Sequence, residues 1–362
     1  MPRTARNIDE GTGIHGEFRH GEDEAALSTR SPDPAALAAG LQCHPAISSK
    51  LATAGAVRAL GLGAGAAGNP GDDAAILPRW EGSDLLSCQG VPPALTTRDP
   101  WLAGWCGVAV NLSSIAAMGG RTAALVNQVW TPSVALAEPL LKGMAAAART
   151  FDVPLVGGHT DCSGHDLTLS VTALGYAETP VPCTGARPGH VLLAVTDQRG
   201  CLTHLDRFCS GLDAPAKRLR GDLELLPRLA EEGLLRACKD IGQAGLAGTV
   251  VSMAECSDVG AVVDLERIVP PGGVSLQHWL RIWPSYGFLL AVAPGDTAAV
   301  QEEFTTRSIR CDPIGGVVEG ARVLFRAGDK CVPFWNHSER PYIGLSKKRP
   351  GVPAAFASAG AT

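Results

Sequence analysis

Apolar residues recur at helical spacing between positions 101 and 118, where Leu102, Trp105, Val108, Leu112 and Ile115 fall three or four residues apart and Gly119-Gly120 follows as a stop. The intervening residues are mostly apolar too, so this helix is expected to be buried almost all round. An Ala- and Leu-rich helix is expected over residues 134–151, and others over 34–41, 46–60, 223–239 with a bend at Pro227, 245–255 and 298–306. Short apolar runs bounded by turn residues read as strands over 73–77, 84–89, 123–130, 155–156, 167–177, 191–195, 261–265 and 286–292. Residues 314–318 and 321–325 read as a closing hairpin.

These elements fall into two halves of similar flavour, separated at the turn Gly185-Ala186-Arg187-Pro188-Gly189. The expected organisation is a flexible extension over 1–42, a first domain over 43–185, a second over 186–345 and a loose tail over 346–362. The Gly-rich segment 61–69 is expected to be flexible. With 362 residues the chain is long enough for two ordinary domains, and abundant Ala and Gly with few aromatics fit an α/β or α+β enzyme. A net charge of −5 with no basic block argues against nucleic acid or an anionic membrane as the main partner. No apolar run reaches the roughly 18 residues of a spanning helix, and the first residues lack the apolar core of a signal peptide, which points to the cytoplasm. The 11 cysteines form no CxxC pair and read as reduced, mostly core thiols.

Candidate chemistry begins at Gly71-Asp72-Asp73-Ala74-Ala75, where two adjacent carboxylates follow the turn former Asn69-Pro70-Gly71. Such a pair carries a charge cost unless a cation sits beside it, and a divalent metal brought in with a nucleotide phosphate suits oxygen ligands of this kind. The alternative is a solvated turn. Successive strand side chains point to opposite faces, so both acids serve one site only if the turn reorients them. Asn111 and Ser114 interrupt one face of the buried helix and need partners. They either face a ligand or bond back to their own helix and a neighbouring loop. In Gly157-Gly158-His159-Thr160 the glycines would let an anion approach backbone N–H groups. His159, Cys162 and His165 are competent zinc ligands, but no fourth is evident and the spacing fits no zinc pattern. Lys239-Asp240-Ile241-Gly242 leads into the helix at Gly245, with Asp240 either a metal acid or a local cap.

The succession GDDAA, DPWLAGWCGVAVNLSSIAAMGGR, LVGGHT, ARPGHVLLAV, KDIGQAGLAG and IGGVVEG resembles the superfamily of aminoimidazole ribonucleotide (AIR) synthase, which includes thiamine-monophosphate kinase, selenophosphate synthetase and a hydrogenase maturation factor. The likeness covers roughly residues 46–326. RLRGDLELLPRLAEEGL, AECSDVGAVVDLERI and PSYGFLLAV are similar to an AIR synthase-related subfamily whose genes tend to lie near a nitrilase. The resemblance implies an α+β protein: a ferredoxin-like N-terminal ATP-binding domain, its barrel closed across a homodimer, plus an α/β C-terminal domain. It implies ATP in the cleft, with Mg2+ bridging the phosphates to acids. Carried over by motif, Asp72, Asp73 and Asp240 are the metal acids, while Asp99, Asn111, Gly157, Gly158 and Thr160 line the nucleotide. His159 is a candidate proton shuttle or a structural hydrogen-bonder.

The departures from the family pattern carry information. Ser114 stands where the usual NLSDIAAMGG motif has a metal-binding Asp, so the site loses about one negative charge. Asp161 is near enough in sequence to the glycine-rich motif to compensate. Gly242 replaces a commonly polar residue, and His159 matches the GGHT form of selenophosphate synthetase. Cys43 and Lys50 do not reproduce that enzyme's reactive Cys–Lys arrangement. The chain ends Ala359-Gly360-Ala361-Thr362 without the terminal cysteine of the hydrogenase factor, and Tyr286-Gly287-Phe288 stands where the kinase has an acidic segment. The reading is therefore an ATP- and magnesium-dependent enzyme that phosphorylates or activates a small molecule, an amide or carbonyl oxygen being one class of target. A catalytically silent nucleotide-binding regulator is the alternative.

Overall fold

The first half supplies β1 (Ala75–Pro78), β2 (Ser83–Gly90), β3 (Arg121–Trp130), β4 (Leu155–Asp161) and β5 (Thr168–Ala177), which form an open sheet in the order β1-β2-β5-β3-β4. The computed structural model describes residues 31–62, 68, 70–203 and 207–346, so most of the extension, most of the Gly-rich segment and the tail lie outside the described residues. Along β2, β3 and β5 the alternation is clean: Leu85, Leu125, Val129, Val171 and Ala173 point into the core. Leu86, Val126, Trp130 and Leu174 stand exposed on the opposite face. The core face is covered by the helices Pro100–Ala117 and Val134–Phe151. A Cβ on Gly104 would lie 1.9 Å from the carbonyl oxygen of Leu140, and one on Gly143 2.0 Å from that of Trp101. Only glycine at both positions lets the two helix backbones touch.

The second half supplies β6 (Val191–Thr196), β7 (Cys201–Thr203), β8 (Arg207–Cys209), β9 (Ala237–Asp240), β10 (Gly260–Asp264), β11 (Trp283–Pro284), β12 (Gly287–Val292), β13 (Arg310–Val318), β14 (Arg322–Ala327) and β15 (Lys330–Asn336). Seven of these form a mixed sheet, β15-β14-β10-β13-β6-β12-β9, and β11-β8-β7 form a small third sheet. One face of the large sheet packs on the buried helix Gly245–Ser257 and on Ala38, Leu41, Ile47 and Val57 of the N-terminal helices. These helices precede the first sheet in the chain yet share a core with the second. The other face packs on the helices Leu225–Glu231 and Thr297–Thr305 and on Ala116 and Ala117 at the end of Pro100–Ala117. Among the described residues no helix is long and apolar enough to cross a membrane.

Several local expectations change. Residues 46–60 are not one helix but a series, Pro45–Ser48, Ser49–Ala52 as a 3₁₀ turn and Thr53–Ala59. Adjacent serines, poor helix formers, sit at its first break. The expected helix over 223–239 ends at Glu231. Gly233 adopts a φ of 70° and the chain leaves as β9, which pairs with β12. β13 and β14 do not form a hairpin with each other, because β10 lies between them, antiparallel to β13 and parallel to β14. β14 instead turns back on β15, a strand that the apolar pattern did not indicate. Finally, the strand from Leu155 does not stop at Val156. It runs through Gly157-Gly158-His159-Thr160 to Asp161 beside β3, so the glycine-rich motif is an edge strand rather than a turn.

Candidate functional site

The strand β1 begins only at Ala75, and the loop before it bends at Gly71, whose φ is 107°. That bend turns both Asp72 and Asp73 towards the second half of the chain. Asp73 Oδ1 accepts from Lys239 Nζ at 2.6 Å, and Asp73 Oδ2 accepts from the backbone N–H of Asp240 at 2.7 Å. Asp72 accepts from the backbone N–H of Cys183. Lys239 and Asp240 end β9, opposite Leu289 and Phe288 of β12. Lys50, on the 3₁₀ turn, completes the group. Asp72, Asp73, Lys239, Asp240, Lys50 and Gln89 line one cleft of about 660 Å³.

Burial sets the charges here. It pushes Asp72 up to about 6, against the hydrogen bonding of Cys183 and the charge of Lys239, which pull it down. Burial, and then the neighbouring Asp73, hold Asp240 well above the ordinary carboxylate range. Burial opposes a charge on Lys239, yet Asp73 and the other groups around it outweigh that and hold the lysine well above its ordinary value. Lys50 is pushed down by burial and then by the charge of Lys239, with Asp240 and Asp73 opposing.

Ser114 faces this cluster. Its Oγ accepts from Gln89 Nε2 at 2.6 Å and lies 3.0 Å from the carbonyl oxygen of Val110 and 3.4 Å from Asp240 Oδ2. The position where the family motif carries an acid is thus turned towards the other acids. Asn111, one helical turn earlier, is fully buried; it donates to the carbonyl oxygen of Gly107 at 2.8 Å and accepts from Ser87 Oγ at 3.1 Å. Asp99 caps its helix, accepting from the N–H of Leu102 at 2.9 Å. Neither lines the cleft. Gly157, Gly158, His159 and Thr160 are exposed on β4, at the far edge of the sheet from β1. Four inter-strand spacings put them roughly 19 Å away within one chain. Asp161 ends the same strand, so within one chain it too lies at the far edge of the sheet, and the hydroxyl and N–H of Ser163 hold its carboxyl below the ordinary range.

Among the described residues, no three His, Cys, Asp or Glu side chains gather as a metal cage, and this includes His159, Cys162 and His165. Asp73 and Asp240 nonetheless form a contiguous pair. Magnesium in nucleotide sites takes one or two carboxylates and completes its shell with phosphate oxygens and water. Asp240 Oδ2 lies 3.4 Å from Ser114 Oγ and Asp73 accepts the N–H of Asp240, so carboxylate and hydroxyl oxygens converge at one wall of the cleft, and oxygen donors of this kind fit such an ion. In the sequence Lys239 stands in the Lys239-Asp240-Ile241-Gly242 motif without a role of its own, Gln89 carries no signal beyond its expected strand, and Lys50 enters only beside Cys43. Lys239 directly precedes Asp240, but reading the stretch as a helix hid the shared strand end.

Residues 71–177 match the AIR synthase related protein N-terminal domain, and residues 207–326 match its C-terminal domain. The chain belongs to the AIR synthase-related family. This AIR synthase-related protein is 37% identical over 288 residues to the uncharacterized protein sll0787 of Synechocystis sp., across 79% of this chain and 89% of the other. It is 29% identical over 291 residues to the thiamine-monophosphate kinase of Caulobacter vibrioides, across 70% of this chain and 79% of the kinase. T. maritima PurL complexed with ATP shares its fold, with a TM-score of 0.68 at 17% identity over 89% of this chain. The match spans 54% of that PurL chain, about half its length. Asp72 and Asp73 lie in the first matched domain and Asp240 in the second, so each domain of this AIR synthase-related protein contributes acids to the cleft.

Proposed function

We propose that this AIR synthase-related protein is an ATP- and magnesium-dependent enzyme that phosphorylates or activates a small molecule. The observation that carries the reading is the meeting of Asp72 and Asp73 with Lys239 and Asp240 in one cleft large enough for a nucleotide. The Caulobacter relative is a kinase by name and the PurL relative is complexed with ATP, which supports the same class of chemistry. Asp73 and Asp240 would hold the magnesium, which when bound neutralises phosphate charge. Lys239 fixes Asp73 and keeps the acidic pair together. Lys50 Nζ releases its proton more readily than an ordinary lysine and is suited to proton exchange with an acceptor. Asp99 and Asn111 serve by anchoring the helix that presents Ser114.

The reading includes a homodimer. The exposed apolar face formed by Leu86, Val126, Trp130 and Leu174 suits a second copy of the same face. Such pairing closes the open sheet into a barrel and carries the Gly157-Gly158-His159-Thr160 strand of one copy towards the acids of the other. His159 is then the candidate proton shuttle beside the phosphates.

Calorimetric titration with ATP, with and without magnesium, tests the nucleotide. Release of ADP over a panel of amides and phosphoacceptors tests turnover. Magnesium-dependent uptake followed by ADP release with one acceptor class is expected, and no uptake under either condition overturns the reading. Ser114, which lowers the charge of the site, favours one second reading, a nucleotide-binding regulator. Tight ATP binding with no turnover across the panel is its signature.

A further inference from the structure

Arg207 is a buried cation that forms no ion pair among the described residues; Asp240 lines a second small cavity with it but makes no bridge to it. It sits on β8, in register with Trp283 of β11, and its guanidinium stacks on the Trp283 ring at 3.8 Å from the centroid. Only 4% of the residue is exposed, and its Nε and Nη1 have no hydrogen-bond partner among the described residues. An isolated buried charge is among the costliest features a fold can carry, so a guanidinium held this way calls for an anion. Arg207 faces a side cavity of about 220 Å³ that also touches Arg281, Ser49, Gln243 and Trp283, with no carboxylate among its described lining residues. Gln243 and Trp283 line the main cleft as well, so the two spaces adjoin.

We propose that Arg207, backed by Trp283, binds an oxyanionic group of the acceptor, a carboxylate or a phosphate, and so orients the rest of the acceptor towards the acids of the main cleft. The planar fork of a guanidinium takes two oxygens of either group at once, and stacking on an indole keeps that fork in one plane. Naming the ligand an acceptor rests on the ATP-dependent reading above. The need of Arg207 for an anion does not.

The test is calorimetry on the full chain, titrating acetate and inorganic phosphate, with acetamide as a neutral control, in the presence and absence of AMPPCP with magnesium. Saturable binding of one anion is expected, at least about tenfold tighter than acetamide and unaffected by AMPPCP. Preference for acetate assigns a carboxylate acceptor, and preference for phosphate a phosphorylated one. Arg207→Gln should weaken the anion by at least about tenfold and leave AMPPCP affinity within about twofold. If neither anion exceeds acetamide in the wild-type protein, or Arg207→Gln binds it unchanged, the proposal is overturned. Expulsion of the anion by AMPPCP would assign Arg207 to the nucleotide and overturn the acceptor site. Should Arg207→Gln fail to fold, the comparison of anion with acetamide in the wild-type protein decides alone. Anion binding without any AMPPCP binding keeps the Arg207 site and ends the ATP reading.

Discussion

Lys239 Nζ meets Asp73 Oδ1 at 2.6 Å across 166 residues of chain, joining the two matched domains inside the cleft. Their side chains are only 13% and 4% exposed. In such a pair each charge has given up water for the other, and removing one partner leaves an uncompensated buried ion.

Replacing Lys239 by Met should therefore destabilise the protein by about 3–5 kcal/mol, read from guanidinium denaturation. Adding Asp73→Asn to Lys239→Met should restore a large part of that loss. Simple additivity of the two single substitutions would show that the ion pair does not couple the halves.

The Asp72 carboxyl gives a pH signature in the absence of ligand. Its folded value is raised to about 6 from 3.8, so the folded state holds the proton more tightly than the unfolded chain. The stabilisation is complete below 3.8 and is lost as pH rises through about 6. Relative to Asp72→Asn, the wild-type protein should lose on the order of 3 kcal/mol across that window. A difference in unfolding free energy that stays flat with pH would contradict the raised value.

Ser114 places a hydroxyl 3.4 Å from Asp240 Oδ2. Ser114→Asp sets a further carboxylate against Asp73 and Asp240. Without metal it should lower the melting temperature, and with magnesium it should tighten ATP binding roughly tenfold, since affinity for a hard cation rises with ligand charge. Loss of nucleotide binding in the variant would mean that the serine serves another purpose.

Glu255, fully buried in the helix Gly245–Ser257, accepts N–H bonds from Tyr342, Ile343, Gly344 and Leu345 at 2.6, 3.1, 2.7 and 3.1 Å. This holds a strap whose Ile343 and Leu345 line the cleft. Glu255→Gln turns an amide donor towards those donors, and a loss of about 2–4 kcal/mol is expected. Hydrogen exchange at residues 342–345 should accelerate with it. Unchanged exchange there would show that other contacts hold the strap.

Leu174 lies opposite Leu86 on the exposed sheet face, 43% and 42% exposed. Leu174→Glu should convert a dimer into monomers in sedimentation velocity and weaken ATP binding. A wild-type protein that is already monomeric would remove the barrel from the proposed function.

The long amphipathic and apolar segments were legible in the chain. The Val134–Phe151 helix appears at its expected bounds, and Pro100–Ala117 and most strands fall within a few residues of theirs, because each carries enough repeats of its period to outweigh chance. The acid pair and Asp240 were also visible, since motif order survives along the chain. Short strands were not. The four residues of β9 hold two alternations at most, and next to a Leu-rich helix they read as its continuation. For the same reason β15 and the placement of β10 between β13 and β14 stayed hidden, because strand order depends on partners distant in sequence.

The sequence by itself determined which segments are apolar on one side, where the chain turns, and that acids recur at motif positions in both halves. Only the tertiary structure decided that Lys239 neutralises Asp73, that Ser114 faces Asp240, and that Arg207 lies stacked on Trp283 without an ion pair among the described residues. The physical reason is that charge and solvation depend on distance and burial in space. Those are set when the domains pack, whereas local periodicity is set by the backbone geometry of a few neighbouring residues.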